Sequence, residues 1–302
     1  RRGGDTPMTH FTDIDDLTRD ELADVLTRAE DLKERLSRGT AHPELAGDSM
    51  AMIFEKPSTR TRISFETGMT HLGGHALFLG PNDIQLGHGE PIRDTARVLS
   101  RYVDVVMARM FDHSDVTELA EYASIPVVNG LTDDAHPCQT LADLLTIREL
   151  TGGFDASVAW VGDGNNVCRS LIKGAAMTDL DLTVATPDGY GPGRDVLDRA
   201  GDLGGSPTLT DDPDAAIADA DIVYTDVWVS MGQEDEREQK LAAFEGFQIT
   251  PERLGDRPLM HCLPAHRGEE VTDAALESDN AVVWQQAENR LHAQKGLLAG
   301  LV

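Results

Sequence analysis

Residues 52–66, Met-Ile-Phe-Glu-Lys-Pro-Ser-Thr-Arg-Thr-Arg-Ile-Ser-Phe-Glu, read as a buried strand, a turn, and a helix capped by Ser58 or Thr59. A short apolar run that passes through a turn into helical periodicity is the unit of a βαβ chain. Working outward, similar runs occur at Met50–Phe54, Ala76–Leu79, Val103–Met107 and Ile125–Val128, with helical patterns between them. Upstream, an amphipathic helix spans Leu17–Leu36. It places Leu22, Val25, Leu26, Ala29 and Leu32 on one face, and Asp13–Asp16 beside its positive N-terminal end. Downstream, a helix from Gln139 to Leu150 stops at Gly152-Gly153, and a second series follows with runs at Ser157–Val161, Leu182–Ala185, Ile222–Tyr224 and Ala281–Trp284. Continuous apolar strands suit parallel sheets covered by helices on both faces. The expectation is an α/β fold of two doubly wound domains, residues 8–150 and 151–302, each with a central, mainly parallel sheet flanked by helices. A chain of 302 residues exceeds the usual size of one domain, which favours the same division.

Composition narrows the function classes. There are 53 acidic and 26 basic residues, a formal net charge of −27, so nucleic acid is excluded as a partner. The acidic residues are spread along the chain, as at Asp211–Asp214 and Glu234–Glu238, and only five basic residues are lysines. That balance resembles proteins of halophiles, whose surface carboxylates repel one another unless salt screens them. No stretch reaches the ~20 apolar residues of a membrane span, and the N-terminus lacks an apolar secretory core, so a cytoplasmic protein is expected. Arg1–Pro7 precede Met8 as a leader, tag remnant or upstream extension and carry no fold argument. Cys138, Cys168 and Cys262 form no C-x-x-C pair and leave one thiol unmatched, which implies a reducing compartment. No metal motif and no cofactor is expected, although the adjacent His261-Cys262 is a pair of metal-ligating types.

Chemistry enters at the helix that starts near Ser58. A helix N-terminus offers unpaired N–H donors and a favourable dipole to a phosphate, hydroxyls add donors, and Arg60 can make a two-pronged contact. Taken singly, a Ser/Thr cap is ordinary and helix arginines usually face solvent. The full run Ser58-Thr59-Arg60-Thr61-Arg62 is far more specific. It resembles the carbamoyl phosphate signature shared by aspartate and ornithine carbamoyltransferases. Further motifs follow in that family's order: Arg109 in Met107-Ala-Arg-Met, His136-Pro137-Cys138-Gln139, Asp226-Val-Trp-Val-Ser230-Met231-Gly232, and His261-Cys262-Leu263-Pro264. The Ser-Met-Gly loop and the cysteine beside Leu-Pro are features of the ornithine branch, and Gln85 and Ala287-Glu288-Asn289-Arg290 match it too. The resemblance spans Leu17–Val302.

By that resemblance, the reaction is carbamoyl transfer between carbamoyl phosphate and the δ-amine of L-ornithine, giving L-citrulline and phosphate. It is reversible, and serves arginine biosynthesis or the catabolic arginine deiminase pathway. Ser58, Thr59, Arg60 and Thr61 would hold the phosphate, with Arg109 bridging phosphate and carbonyl and His136 donating to the carbonyl oxygen. A lone His136 would pass for an ordinary loop histidine; Pro137 and Gln139 beside it reverse that. Gln139, Cys262, Leu263 through its carbonyl, and Arg290 would complete the cradle, with a cis bond before Pro264, and Gln85 would reach a neighbour's site in a homo-oligomer, a trimer or a tetramer of trimers. The C-terminal helix, about 286–302, would pack on the first domain. Arg109, His136 and Cys262 are the catalytic candidates; Cys262 reads as orienting rather than nucleophilic, because an amine can attack directly.

For ornithine, Asn166, Asp226, Ser230 and Met231 are the candidates. Asp226 would meet the α-ammonium and Asn166, assisted by Asn165, the carboxylate; Ser230 and Met231 sit on a segment that reads either as a mobile lid or as a plain surface turn. Two alternatives stay open. Another amine, such as putrescine or N-acetylornithine, could replace ornithine. The turn Val161-Gly-Asp-Gly-Asn-Asn-Val also resembles the start of a dinucleotide fingerprint, which would suit an NAD-dependent dehydrogenase, but Val167 stands where its third glycine belongs.

Overall fold

The computed structural model describes residues 10–83 and 89–302, and of Glu234 the backbone alone; Gln85 lies outside the described residues. Two compact units emerge. One comprises the chain up to Leu145 together with Asn289–Val302, the other Thr146–Glu288.

The first unit is built on a four-stranded parallel sheet of β1 (Ser49–Phe54), β2 (His75–Leu79), β3 (Val105–Arg109) and β4 (Val127–Leu131) in the order β2-β1-β3-β4. Helices α1 (Arg19–Ser37), α2 (Thr59–His71), α3 (Ile92–Leu99), α4 (His113–Tyr122) and α5 (Pro137–Thr151) accompany it. Leu22, Val25, Leu26, Ala29 and Leu32 of α1 are buried, the stripe expected from their spacing. Thr18 and Glu21 close a reciprocal capping box that starts this helix. Asp13–Asp16 do not serve α1. They form a separate one-turn helix that Asp13 and Asp16 cap, which corrects the sequence expectation.

The second unit carries β5 (Ser157–Val161), β6 (Asp181–Ala185), β7 (Thr208–Thr210), β8 (Ile222–Tyr224) and β9 (Leu259–Met260) in the order β7-β6-β5-β8-β9, again all parallel. It is accompanied by α6 (Asn166–Thr178), α7 (Arg194–Leu203), α8 (Pro213–Ala218), α9 (Arg237–Ala243), α10 (Pro251–Leu254), α11 (Asp273–Leu276) and the start of α12 (Val283–Leu301). Trp160 and Tyr224 pack edge to face at 4.8 Å in its interior. The doubly wound α/β expectation describes both units.

Local expectations shift in a few places. The strand foreseen at Val103–Met107 runs Val105–Arg109, because the Val103 N–H donates to Leu99 O and still belongs to the turn after α3. The run Ala281–Trp284 is no strand: Ala281 makes a single bridge to Leu259 and α12 begins at Val283. Four apolar residues fit a buried strand or a buried helix start equally well by pattern. Strand β9 has only two residues, and β7 is a largely exposed Thr-Leu-Thr with no apolar run, unlike the equally short but fully buried β8, so neither leaves a pattern.

The two sheets share one device at their amino ends. Ser49 donates from its N–H (2.8 Å) and its hydroxyl (2.9 Å) to Asp104 Oδ2, joining the start of β1 to that of β3. Ser157 makes the same pair of bonds to Asp221 Oδ2 at 2.8 and 2.9 Å, joining β5 to β8. Both pairs sit where strand order reverses, so the opposite, carboxyl ends of β1/β3 and β5/β8 are where such sheets bind ligands.

Candidate active site

At the carboxyl end of β1, Ser58 is the cap of α2: its Oγ accepts the Thr61 N–H at 3.2 Å. Thr59 and half-buried Arg60 follow on the exposed first turn, whereas Arg62 turns elsewhere. Its Nε donates to Glu66 at 3.0 Å and its guanidinium lies 3.8 Å from the Phe78 ring. Arg109 is the last residue of β3, beside Phe54 in register, and is buried. His136 stands before Pro137, the first residue of α5, a position proline suits.

Arg290, on α12, ties these together. Its Nη1 donates to Gln139 Oε1 at 2.7 Å and lies 3.5 Å from His136 Nε2, and its Nη2 donates to Thr61 Oγ1 at 3.4 Å. Gln139 is oriented in turn by donating Nε2 to Asp143 Oδ1 at 2.8 Å. A guanidinium can only donate, so His136 Nε2 accepts and the ring proton of the neutral imidazole sits on Nδ1. Burial first, then Arg290, Arg109 and Arg60, hold the pKa of His136 well below 6.5. The site therefore gathers three guanidiniums, hydroxyls and helix N–H groups around an uncharged imidazole donor, a set that stabilises a phosphate dianion and a polarised carbonyl.

In the second unit, the carboxyl end of β5 leads through Gly162-Asp163-Gly164 to Asn165, the cap of α6. Asn165 Oδ1 accepts from Val167 and Cys168 N–H at 3.0 and 3.1 Å, and its Nδ2 donates to Asp226 Oδ2 at 2.8 Å. The Cys262 thiol donates to Asp226 Oδ1 at 3.0 Å. Buried Asp226, which follows β8, is thus gripped at both oxygens and held in one orientation. Asn166 begins α6, its Oδ1 accepting the Val167 N–H at 3.0 Å. Ser230 and half-exposed Met231 lie on the irregular segment between β8 and α9.

The turn after β9 is fixed by His261. Its Nδ1 accepts the Leu263 N–H at 2.9 Å, which leaves its proton on Nε2 for Glu270 Oε1 at 3.0 Å. Leu263 adopts φ 59°, the left-handed region, and the Leu263-Pro264 bond is cis. The donor atoms of Asp226, His261 and Cys262 lie within 4.8 Å of one another, but these hydrogen bonds account for them. Burial pushes the Cys138 thiol up to about 12 and Cys168 well above 9.0, so neither is a nucleophile at neutral pH.

A Cβ on Gly164 would lie 2.4 Å from Gly191 C and Pro192 N. This glycine is required by its own protein's loop, not by the close approach of a pyrophosphate, so the dinucleotide alternative loses its best feature. Three contributors escaped the sequence reading. Asp143 was detectable as the i+4 partner of Gln139; Glu270 and the buried Lys240 gave no local signal.

Two parallel α/β units, one with a cationic anion cradle and one with an anchored carboxylate, define a two-domain enzyme of the doubly wound class. Residues 9–149 match the family model described as the carbamoyl-P binding domain of aspartate/ornithine carbamoyltransferase, and residues 155–301 its Asp/Orn binding domain. The chain belongs to the aspartate/ornithine carbamoyltransferase family. It is 64% identical over 297 residues to the ornithine carbamoyltransferase of Haloquadratum walsbyi, covering 97% of this chain and 98% of the relative. The corresponding enzyme of Archaeoglobus fulgidus is 52% identical, with 98% of each chain covered. Among solved structures, the ornithine carbamoyltransferase from Pyrococcus furiosus superposes with a TM-score of 0.93 at 51% identity, over 99% of this chain and 98% of that one.

Proposed function

We propose that this enzyme transfers a carbamoyl group between carbamoyl phosphate and the δ-amine of L-ornithine, forming L-citrulline and phosphate. The observation that carries it is the buried His136, kept neutral among Arg60, Arg109 and Arg290. A neutral imidazole beside fixed cations can donate to a carbonyl whose oxygen becomes anionic, while the cations neutralise the departing phosphate. The neutral δ-amine attacks the carbamoyl carbon, an N–C bond forms, and the tetrahedral intermediate collapses as the C–O bond to phosphate breaks. Phosphate takes the amine's proton.

Carbamoyl phosphate is assigned to the first unit, on Ser58, Thr59, Arg60, Thr61, Arg109, His136, Gln139 and Arg290, and ornithine to the second, on Asn166, Asp226, Ser230 and Met231. The division at Leu145 and the membership of Asn289–Val302 in the first unit support that allocation. Cys262 and the Leu263 carbonyl are assigned, on the family pattern, to the amide of carbamoyl phosphate. An α-ammonium is what an anchored carboxylate at Asp226 selects, which favours ornithine over N-acetylornithine, whose α-nitrogen is an uncharged amide, while putrescine lacks the carboxylate assigned to Asn166. Exposed Ile63 on α2 and Leu77 on the edge strand β2 are in keeping with a homo-oligomer, and the assignment of a trimer, or a tetramer of trimers, rests on the family pattern. The net charge of −27 supports a salt-rich cytoplasm, and no helix among the described residues is long and apolar enough to cross a membrane.

The test is citrulline formation from ornithine and carbamoyl phosphate, and its reverse with phosphate, over a salt series to molar concentration. Turnover that rises with salt is expected. No turnover in either direction at high salt sinks the assignment.

A further inference from the structure

Lys240 is 3% exposed, and no step of the proposed reaction uses it. A buried ammonium needs partners, and it has two: Nζ donates to Asp163 Oδ2 at 2.6 Å and to Gln233 Oε1 at 2.8 Å. The Gln233 oxygen also accepts the Ser230 N–H at 3.2 Å, and the Gln233 N–H donates to Ser230 O at 3.1 Å. Residues 230–233 therefore form a turn closed from both sides, with Gly232 at φ 93°, where a side chain would be strained. At the other end, Asp163 lies in the turn that leads to Asn165 and Asn166. That turn is rigid: the Asp163 carbonyl accepts Trp160 Nε1 at 3.1 Å, and Gly164 is packed on Gly191 and Pro192.

We infer that Lys240 and Gln233 are positioning residues for the acceptor amino acid, holding the Ser230–Met231 turn in register with the Asn165–Asn166 helix start through Asp163. The inference rests on the reading of Ser230, Met231 and Asn166 as ornithine-binding residues. A stability role alone does not explain the arrangement, because a buried ion pair is often matched or bettered by apolar residues of similar volume. Nor does stability require that the oxygen bonded to Lys240 be the one that takes the Ser230 N–H. The route from a fixed turn, through one cation, to a loop half-exposed at Met231 is a placement device.

Gln233→Ala tests this while leaving the Asp163–Lys240 pair in place. We expect KM for ornithine to rise about tenfold with KM for carbamoyl phosphate unchanged, and the melting temperature to fall slightly as the buried Lys240 loses one of its two hydrogen-bond partners. Affinity for L-norvaline, which has ornithine's head and chain without the δ-amine, should fall equally in calorimetry at saturating carbamoyl phosphate. Gln233→Glu, whose oxygen can accept both bonds, should restore both values. Unchanged ornithine KM and norvaline affinity in Gln233→Ala, or no recovery in Gln233→Glu, overturns the inference alone. A wild-type protein that makes no citrulline overturns the proposed function and this inference with it.

Discussion

The carboxyl ends of the two sheets face the same problem, holding polar groups ready in a buried place, and solve it oppositely. In the first unit the charges are positive and crowded, and the group among them, His136, stays neutral because burial and three guanidiniums oppose its protonation. In the second, Asp226 has its two oxygens bonded to Asn165 and Cys262, so its direction is set by partners, not by field. The difference follows from the proposed ligands. A dianion that arrives and departs as phosphate is served by strong, divergent cations, whereas an amino-acid head with one charge of each sign is served by one oriented carboxylate and an amide. Beneath both sites the matching Ser–Asp clamps, Ser49–Asp104 and Ser157–Asp221, keep the two central strands of each sheet in register.

The sharpest way to break this contrast is Arg60→Ala. Loss of one cation from the cradle should lower kcat/KM for carbamoyl phosphate by about 10²–10³-fold while far-UV circular dichroism stays native. Asp226→Asn removes the charge but keeps the shape. Steady-state kinetics should show a roughly 10- to 100-fold rise in KM for ornithine with little change for carbamoyl phosphate; equal effects on both substrates would mean that the two sites are not separable. Acid stability probes the field in the first unit. The folded protein resists protonating His136 while the unfolded chain accepts a proton near 6.5, so its contribution to stability is intact above that pH and drains below it. The loss is up to about 1.4 kcal/mol per pH unit, and His136→Gln should flatten the melting curve's slope between pH 7 and pH 5. The smallest effect belongs to Arg62→Ala. Its guanidinium is exposed, paired with Glu66 and stacked on Phe78, so activity should stay within about twofold and stability within about 1 kcal/mol.

A second titration lies outside either site. Lys295, fully buried, donates to Leu32 O and to His42 Nε2, each at 3.2 Å, and burial, with help from Arg35, lowers its pKa from 10.5 to about 8. Since the unfolded chain keeps that proton up to about 10.5, stability should climb between pH 8 and 10.5. Lys295→Met should abolish the climb in thermal melts.

Much of the fold was legible because apolar runs of strand length alternate with helical periodicity, and burial on both sheet faces makes those runs continuous. The α1 stripe Leu22, Val25, Leu26, Ala29 and Leu32 could be read at sight. Where the run was short the signal failed. Ala281–Trp284 looked like a strand and starts a helix, and β9 is two residues long, pairing with β8 only at Val223–Leu259 and Tyr224–Met260. In the site, residues within one motif were readable, and so was an i+4 partner such as Asp143. Partners far apart were not: Lys240 meets Asp163 across 77 positions and Arg290 meets Gln139 across 151.

By itself, the sequence determined the α/β class, the anion-binding helix start at Ser58–Thr61, the acidic surface and the family, since each is written in local periodicity, composition or contiguous motif. Only the tertiary structure decided that Arg62 serves Phe78 and Glu66 while Arg60 stays at the cradle, that His136 is neutral, that Asp226 is clamped by Asn165 and Cys262, and that Lys240 joins one loop to another. Those are matters of distance and desolvation, and neither is defined until the chain has folded around them.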